Sequence, residues 1–247
     1  MVLTQQIRNA VITASMVSAY TSDNWAGGIH EDKGRVTQAS VDIVVPDCTV
    51  GIPAYNYVPY SVSGWAGIDG SDSCNDVVLQ AGFFCTAESI DNKTTTSYDA
   101  WTEWFPAPQQ TYNDFELQAG DVLTIRIVAN SKTSGSTLLH NHRTGKKAQT
   151  NYANQTTPLC LNSAEWVIES ELAFTSFGLD GERTAGYNPF VFEHASYTTT
   201  DGKKHLAKAE DMFNMVQNGT EVAEAVYEKN GLFKVKDVTP ADFAKGV

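Results

Sequence analysis

The run Val77-Val78-Leu79-Gln80-Ala81-Gly82-Phe83-Phe84 sets one primary amide among apolar and small residues, behind a turn-rich lead-in, Ser63-Gly64-Trp65-Ala66-Gly67-Ile68-Asp69-Gly70. Such a run reads as a strand. Side chains alternate along a strand, so Val78, Gln80, Gly82 and Phe84 share one face, and Val77, Leu79, Ala81 and Phe83 the other. A buried amide left unpaired costs roughly 1–3 kcal/mol, so Gln80 either faces a groove or meets a partner from another segment.

Ala164-Glu165-Trp166-Val167-Ile168-Glu169-Ser170-Glu171 is the candidate for that segment. Its alternation gathers Glu165, Val167, Glu169 and Glu171 on an acidic face and Ala164, Trp166, Ile168 and Ser170 on the other.

The rest of the chain reads as antiparallel β from Thr21 onward. Val36 to Val45 alternates with Val41, Ile43 and Val45 inward, and Val122 to Val128 does so with Leu123, Ile125 and Ile127 inward. Thr137 to Gln149 predicts a hairpin around Arg143-Thr144-Gly145-Lys146. Asn218-Gly219 and Asn230-Gly231 are hairpin turns that cut Met212 to Val238 into three strands, although Glu221 to Glu228 alone has helical propensity. Asp47 to Val62 is expected to be an irregular loop, and Thr86 to Ser97 a polar insertion. Beyond it, Asp99, Trp101, Glu103 and Phe105 share a face whose mixture of charge and rings suits a groove better than a dry core.

At 247 residues one large β-sandwich or barrel is expected, spanning residues 22–238 between an N-terminal extension (1–21) and a tail (239–247). The extension holds a semi-apolar piece, Ala10 to Ala19, but Thr13 and Ser15 interrupt it, so a signal peptide is the lesser reading. A net charge of −12 argues against nucleic acid as a partner, and no apolar run is long enough for a bilayer. Carboxylates protonate as pH falls, so this charge shrinks in acid, which suits a protein working there. The four cysteines, Cys48, Cys74, Cys85 and Cys160, have no zinc-type spacing. With sequons at Asn92, Asn154 and Asn218 they favour one or two disulfides in a secreted chain.

Asn24-Trp25-Ala26-Gly27, Trp65-Ala66-Gly67-Ile68-Asp69-Gly70, Leu79-Gln80-Ala81-Gly82, Tyr98-Asp99-Ala100-Trp101 with Glu103-Trp104 and Pro106, and Ala164-Glu165-Trp166-Val167-Ile168-Glu169 occur in this order. Together they resemble the glutamic peptidases, or eqolisins. The resemblance covers roughly Ser22 to Val238 and implies an all-β fold: a concanavalin-like, jelly-roll sandwich of two large antiparallel sheets, with a concave substrate groove. It implies Gln80 and Glu169 as the catalytic dyad, with Trp65 and Asp69 as supports and Trp101 and Glu103 at cleft positions. It also implies a Cys74–Cys160 disulfide, leaving Cys48 and Cys85 to bond each other or stay free. The activity implied is that of a monomeric, pepstatin-insensitive acid endopeptidase acting on proteins or peptides without a cofactor or metal.

Mechanistically the pair is coherent. An acid such as Glu169 can take a proton from water and pass it to the leaving amine, while a non-titrating amide such as Gln80 donates to the oxyanion at low pH. Other chemistries fit less well. His140-Asn141-His142 lacks a third metal ligand and reads as solvated loop histidines. Asp69-Gly70-Ser71 and Asp180-Gly181-Glu182 lack the Asp-Thr/Ser-Gly order of aspartic peptidases. A glycosidase using Glu165 and Glu169 is the runner-up, but four residues along a strand span about 13 Å, beyond the roughly 5–9.5 Å that reaction uses. A non-catalytic sugar-binding module is the third reading.

Overall fold

The computed structural model describes residues 21–52, 54–71, 74–91, 93–170 and 184–243; Asn92, Glu171 and Asp180 to Glu182 lie outside the described residues. The strands run in chain order β1 Thr21–Ser22, β2 Trp25–Glu31, β3 Val36–Val44, β4 Cys48–Thr49, β5 Pro59–Ile68 and β6 Val78–Ile90. β7 Lys93–Phe105, β8 Gln110–Thr111, β9 Val122–Ser131, β10 Ser134–Asn141, β11 Lys147–Tyr152 and β12 Ser163–Ser170 follow. The last are β13 Gly186–Tyr187, β14 Phe190–Thr199, β15 Lys204–Leu206, β16 Met212–Gln217, β17 Thr220–Lys229 and β18 Leu232–Asp237.

Where alternation is clean, the strands follow it. Val41, Ile43 and Val45 are buried, as are Leu123, Ile125 and Ile127. Both Asn-Gly pairs adopt the left-handed conformation that a two-residue hairpin turn demands, with φ of 50° and 76° at Asn218 and Gly219 and 51° and 72° at Asn230 and Gly231. Glu221 to Glu228 is accordingly strand, because the turns on either side pair β17 with both β16 and β18.

Two connections differ from the sequence reading. The polar insertion Thr86 to Ser97 does not interrupt the strands: β6 and β7 continue through it as a paired ribbon from Val78↔Phe105 to Ile90↔Lys93. Its far end projects past the core, with residues 93–97 exposed, so neither face needs apolar residues and alternation is lost. The segment before Val62 joins β5 from Pro59, a first-strand position where a missing N–H is tolerated.

The pairing order is β11-β10-β9-β3-β14-β18-β17-β16-β2-β12-β5-β6-β7-β8. The two expected sheets are therefore halves of one continuous antiparallel ladder doubled over on itself. β16 is the corner: Met212 and Phe213 pair with β2, whereas Met215 to Gln217 pair with β17. The core lies between the halves. Trp166 of β12 is fully buried there and donates its indole N–H to the Ser40 carbonyl of β3 at 3.1 Å. In the same core Phe192 and Phe233 stack with centroids 4.6 Å apart. Each such ring contributes about 1.5–3 kcal/mol by leaving water.

Both disulfides form. Cys74–Cys160 clips the β5–β6 connection to the segment leading into β12, and Cys48–Cys85 ties β4 to β6. The first closes a span of 86 residues, which on chain-entropy grounds stabilises by on the order of 4 kcal/mol.

Candidate active site

Register decides which side chains meet on the outer face of β2, β12, β5, β6 and β7. One row across these strands is Ile29, Glu165, Gly67, Gln80 and Glu103. The next is Gly27, Val167, Trp65, Gly82 and Trp101, and the third is Trp25, Glu169, Ser63, Phe84 and Asp99. Gln80 and Glu169 therefore share a face, with β5 between their strands and Trp65 in the row that separates theirs.

Glu169 is held by two donors. The Trp65 indole N–H reaches Oε2 at 3.0 Å, and the Asn24 amide reaches Oε1 at 3.4 Å. The indole also lies over Gly67, where an added Cβ would stand 2.9 Å from its Cζ3 and 3.5 Å from the Gln80 Cβ. Trp65 thus spans the ground from Glu169 to the Gln80 row, and only a glycine fits beneath it. Trp25 packs edge-on to Trp65 at 5.0 Å, and Trp101 stacks on Phe84 at 5.5 Å. Trp101 is buried under this aromatic cover and does not stand free in a groove.

Gln80 donates its amide to Glu103 Oε2 at 2.7 Å. Burial pushes the Glu103 carboxyl above its ordinary value, and the Gln80 bond draws it partly back.

Asp69 works away from this face. With φ of 67° and no exposure, it accepts the backbone N–H groups of Cys160 and Leu161 on Oδ2 and Asn162 on Oδ1, at 2.7–2.9 Å. It anchors the turn that feeds β12, and with it the placement of Glu169.

Glu165 shares the outer face with Glu169 but is fully buried, and neither carboxyl oxygen has a hydrogen-bond partner. Ser163 leans toward it without closing a bond. Burial, with Asp69 and Glu31 nearby, raises this carboxyl well above the usual range. A residue so enclosed cannot reach a sugar, so the paired-carboxylate glycosidase loses one of its two acids.

Buried polar atoms are almost always paired, and exceptions need explaining. Among the described residues the unpaired ones belong to Trp25, Ser63, Gln80, Trp101 and Glu165. Every one of these residues stands in the rows above. The core between the layers contributes none, so unmet hydrogen-bonding capacity is concentrated on a single face.

Metal ligation finds no comparable support. His140 and His142 lie with ring centroids 4.6 Å apart, and His142 Nε2 is engaged with Thr124 Oγ1 at 2.7 Å. Among the described residues, ligand-type atoms gather within 4.8 Å only at Asp69, Cys74 and Cys160, where both sulfurs are committed to a disulfide.

Asn24 belongs to the Asn24-Trp25-Ala26-Gly27 motif, and its role comes from its contact with Glu169. The motif itself was the available signal; the contact, 145 residues away in sequence, was not.

Residues 23–237 match the Peptidase A4 family. Aspergillopepsin-2 of Aspergillus niger is 32% identical over 191 residues, covering 67% of this chain and 65% of that protein. Scytalidopepsin B of Scytalidium lignicola is 29% identical over 209 residues, covering 83% and 75%. The chain thus spans about two thirds to three quarters of the length of these curated relatives. A crystal structure of scytalido-glutamic peptidase with a peptide-based transition state analog superposes with a TM-score of 0.70 at 26% identity, covering 89% of this chain and all of that one. The chain belongs to the Peptidase A4 family, the eqolisins.

Proposed function

We propose that this chain is an acid-acting endopeptidase in which Glu169 and Gln80 work on one peptide bond laid over Trp65. The observation that carries the reading is that, among the described residues, the unpaired buried polar side-chain atoms are confined to the face bearing both residues. The family supports it, as does the peptide-based analog in the scytalido-glutamic peptidase structure.

In this mechanism Glu169, ionised, takes a proton from a water whose oxygen adds to the scissile carbonyl carbon. The carbonyl π pair moves onto oxygen, and the second amide N–H of Gln80, the one not given to Glu103, donates to that oxyanion. Collapse re-forms the carbonyl and breaks the C–N bond as Glu169 returns the proton to the leaving nitrogen, giving a carboxylic acid and an amine. Trp65 and Asn24 fix the carboxylate, so little reorganisation accompanies the transfer. The substrate is an unfolded protein or peptide. Both disulfides fit an oxidising compartment, and we place the enzyme outside the cell, acting as a monomer.

The test is hydrolysis of a denatured protein between pH 2 and 5, with pepstatin present. Wild-type protein should cleave it, while Glu169→Gln and Gln80→Ala should each lose at least about 100-fold in kcat. Full activity in both folded variants would refute the assignment.

A further inference from the structure

The mechanism leaves one question that the surroundings of Gln80 answer. A primary amide can turn over about its last torsion, exchanging N–H for C=O, and only one orientation presents a donor to an oxyanion. We infer that Glu103 is the positioning residue that holds the Gln80 amide in its donating orientation, and that it acts on catalysis only through Gln80. This rests on the dyad reading above.

Gln80 is gripped from both faces of its sheet by consecutive residues of β7. Directly across the ladder, Glu103 takes one Nε2 proton at 2.7 Å on the outer face. On the core face, Thr102 Oγ1 donates to the Gln80 carbonyl at 3.3 Å. That hydroxyl is itself fixed by Thr137 Oγ1 at 2.7 Å and the Tyr152 hydroxyl at 3.0 Å. Burial pushes the Tyr152 phenol up to about 12, so it remains a donor throughout the acid range. One assignment satisfies all three contacts: Thr102 donates to Gln80 and accepts from the other two. The backbone of Gln80 is thus pinned from behind, which leaves its side-chain torsions, the amide's own among them, to contacts on the outer face.

Glu103 suits that task. Its carboxylate oxygens only accept, so with Glu103 ionised the Nε2 side of the amide stays turned toward it. The opposite orientation would aim Gln80 Oε1 at an acceptor. In the observed one Oε1 is buried without a partner, so the Glu103 bond is the polar contact that selects it. Nothing in this arrangement requires Glu103 to touch substrate.

Steady-state kinetics on Glu103→Gln, Glu103→Asp, Glu103→Leu, Gln80→Ala and the Gln80→Ala/Glu103→Leu double variant test this, with thermal unfolding as the check on folding. Glu103→Gln keeps an acceptor but adds an N–H donor that can meet Gln80 Oε1 in the flipped orientation, so its kcat should fall between those of wild type and Glu103→Leu. Glu103→Asp, one methylene short, and Glu103→Leu should lose about 10- to 100-fold in kcat with KM within about twofold, since a misaimed donor forfeits part of the 10²–10³ such a donor supplies. The double variant should be no slower than Gln80→Ala within about twofold, because a residue acting through Gln80 has nothing left to act on. Unchanged kcat in Glu103→Asp and Glu103→Leu, or multiplying losses in the double variant, would overturn the role of Glu103 while the dyad stands. Full activity in Gln80→Ala would instead remove the dyad reading, and this inference with it.

Discussion

Trp65 and Glu169 are not opposite each other in the ladder: Trp65 faces Val167, and the indole N–H reaches two residues along β12 to close a 3.0 Å bond on the Glu169 carboxylate. As the acid of the proposed dyad, Glu169 depends on that ring twice, for its hydrogen bond and for its bulk over Gly67.

Trp65→Phe separates the two. It keeps an aromatic ring and deletes the donor, forfeiting a charge-assisted bond of about 1.5–3 kcal/mol. The expected outcome is a loss of about 10- to 100-fold in kcat with a stability cost of about 2–4 kcal/mol, read from steady-state kinetics and urea unfolding. Unchanged kcat would mean that the indole N–H does not serve Glu169.

Asp69→Asn probes the turn before β12. The asparagine tolerates the left-handed backbone at this position but loses a carboxylate that accepts three backbone N–H groups. The variant should be destabilised by about 2–4 kcal/mol in urea unfolding, with faster amide exchange at residues 160–162. A loss below about 0.5 kcal/mol would remove Asp69 from its anchoring role.

Glu165 governs a pH dependence of stability. Its folded-state value is raised well above 4.5, so over the interval between the unfolded and folded values the folded chain keeps a proton that the unfolded chain has shed. The stability that Glu165 contributes is therefore greatest in acid and falls as pH climbs above about 4.5, until the folded-state value is passed. Asp69 and Glu31, the acids beside it, act in the same direction. Thermal midpoints should fall more, or rise less, between pH 3 and 8 in wild type than in Glu165→Gln. Parallel profiles would show that Glu165 is not the titrating group.

Legibility in the sequence followed burial. The strands at Val36 and Val122 bury one side only, so their alternation survives in the residue order, and the two Asn-Gly turns announce themselves by the backbone angles they need. Where both faces are wet, as over residues 93–97, or where a strand opens on proline, as at Pro59, periodicity carries no signal. The site was half legible. Alternation placed Gln80 on one face with Gly82 and Phe84, and Glu165 on one face with Glu169, but it could not distinguish enclosed Glu165 from Glu169, since burial there comes from strands far away in sequence. Nor could it show Thr102 bonded to Tyr152 behind Gln80, a contact between strands 50 residues apart. The corner at β16, where one strand serves both layers, depends on which half of Met212–Gln217 meets which neighbour and has no local signature.

The most direct test of the dyad is a crystal structure of this chain with a peptide whose scissile carbonyl is replaced by a tetrahedral, hydroxyl-bearing centre. The account predicts the centre above Trp65, with the Gln80 amide nitrogen and the Glu169 carboxylate each within about 3.2 Å of its oxygens. A peptide seated elsewhere, or one touching Glu169 while Gln80 stays remote from the centre, would contradict it.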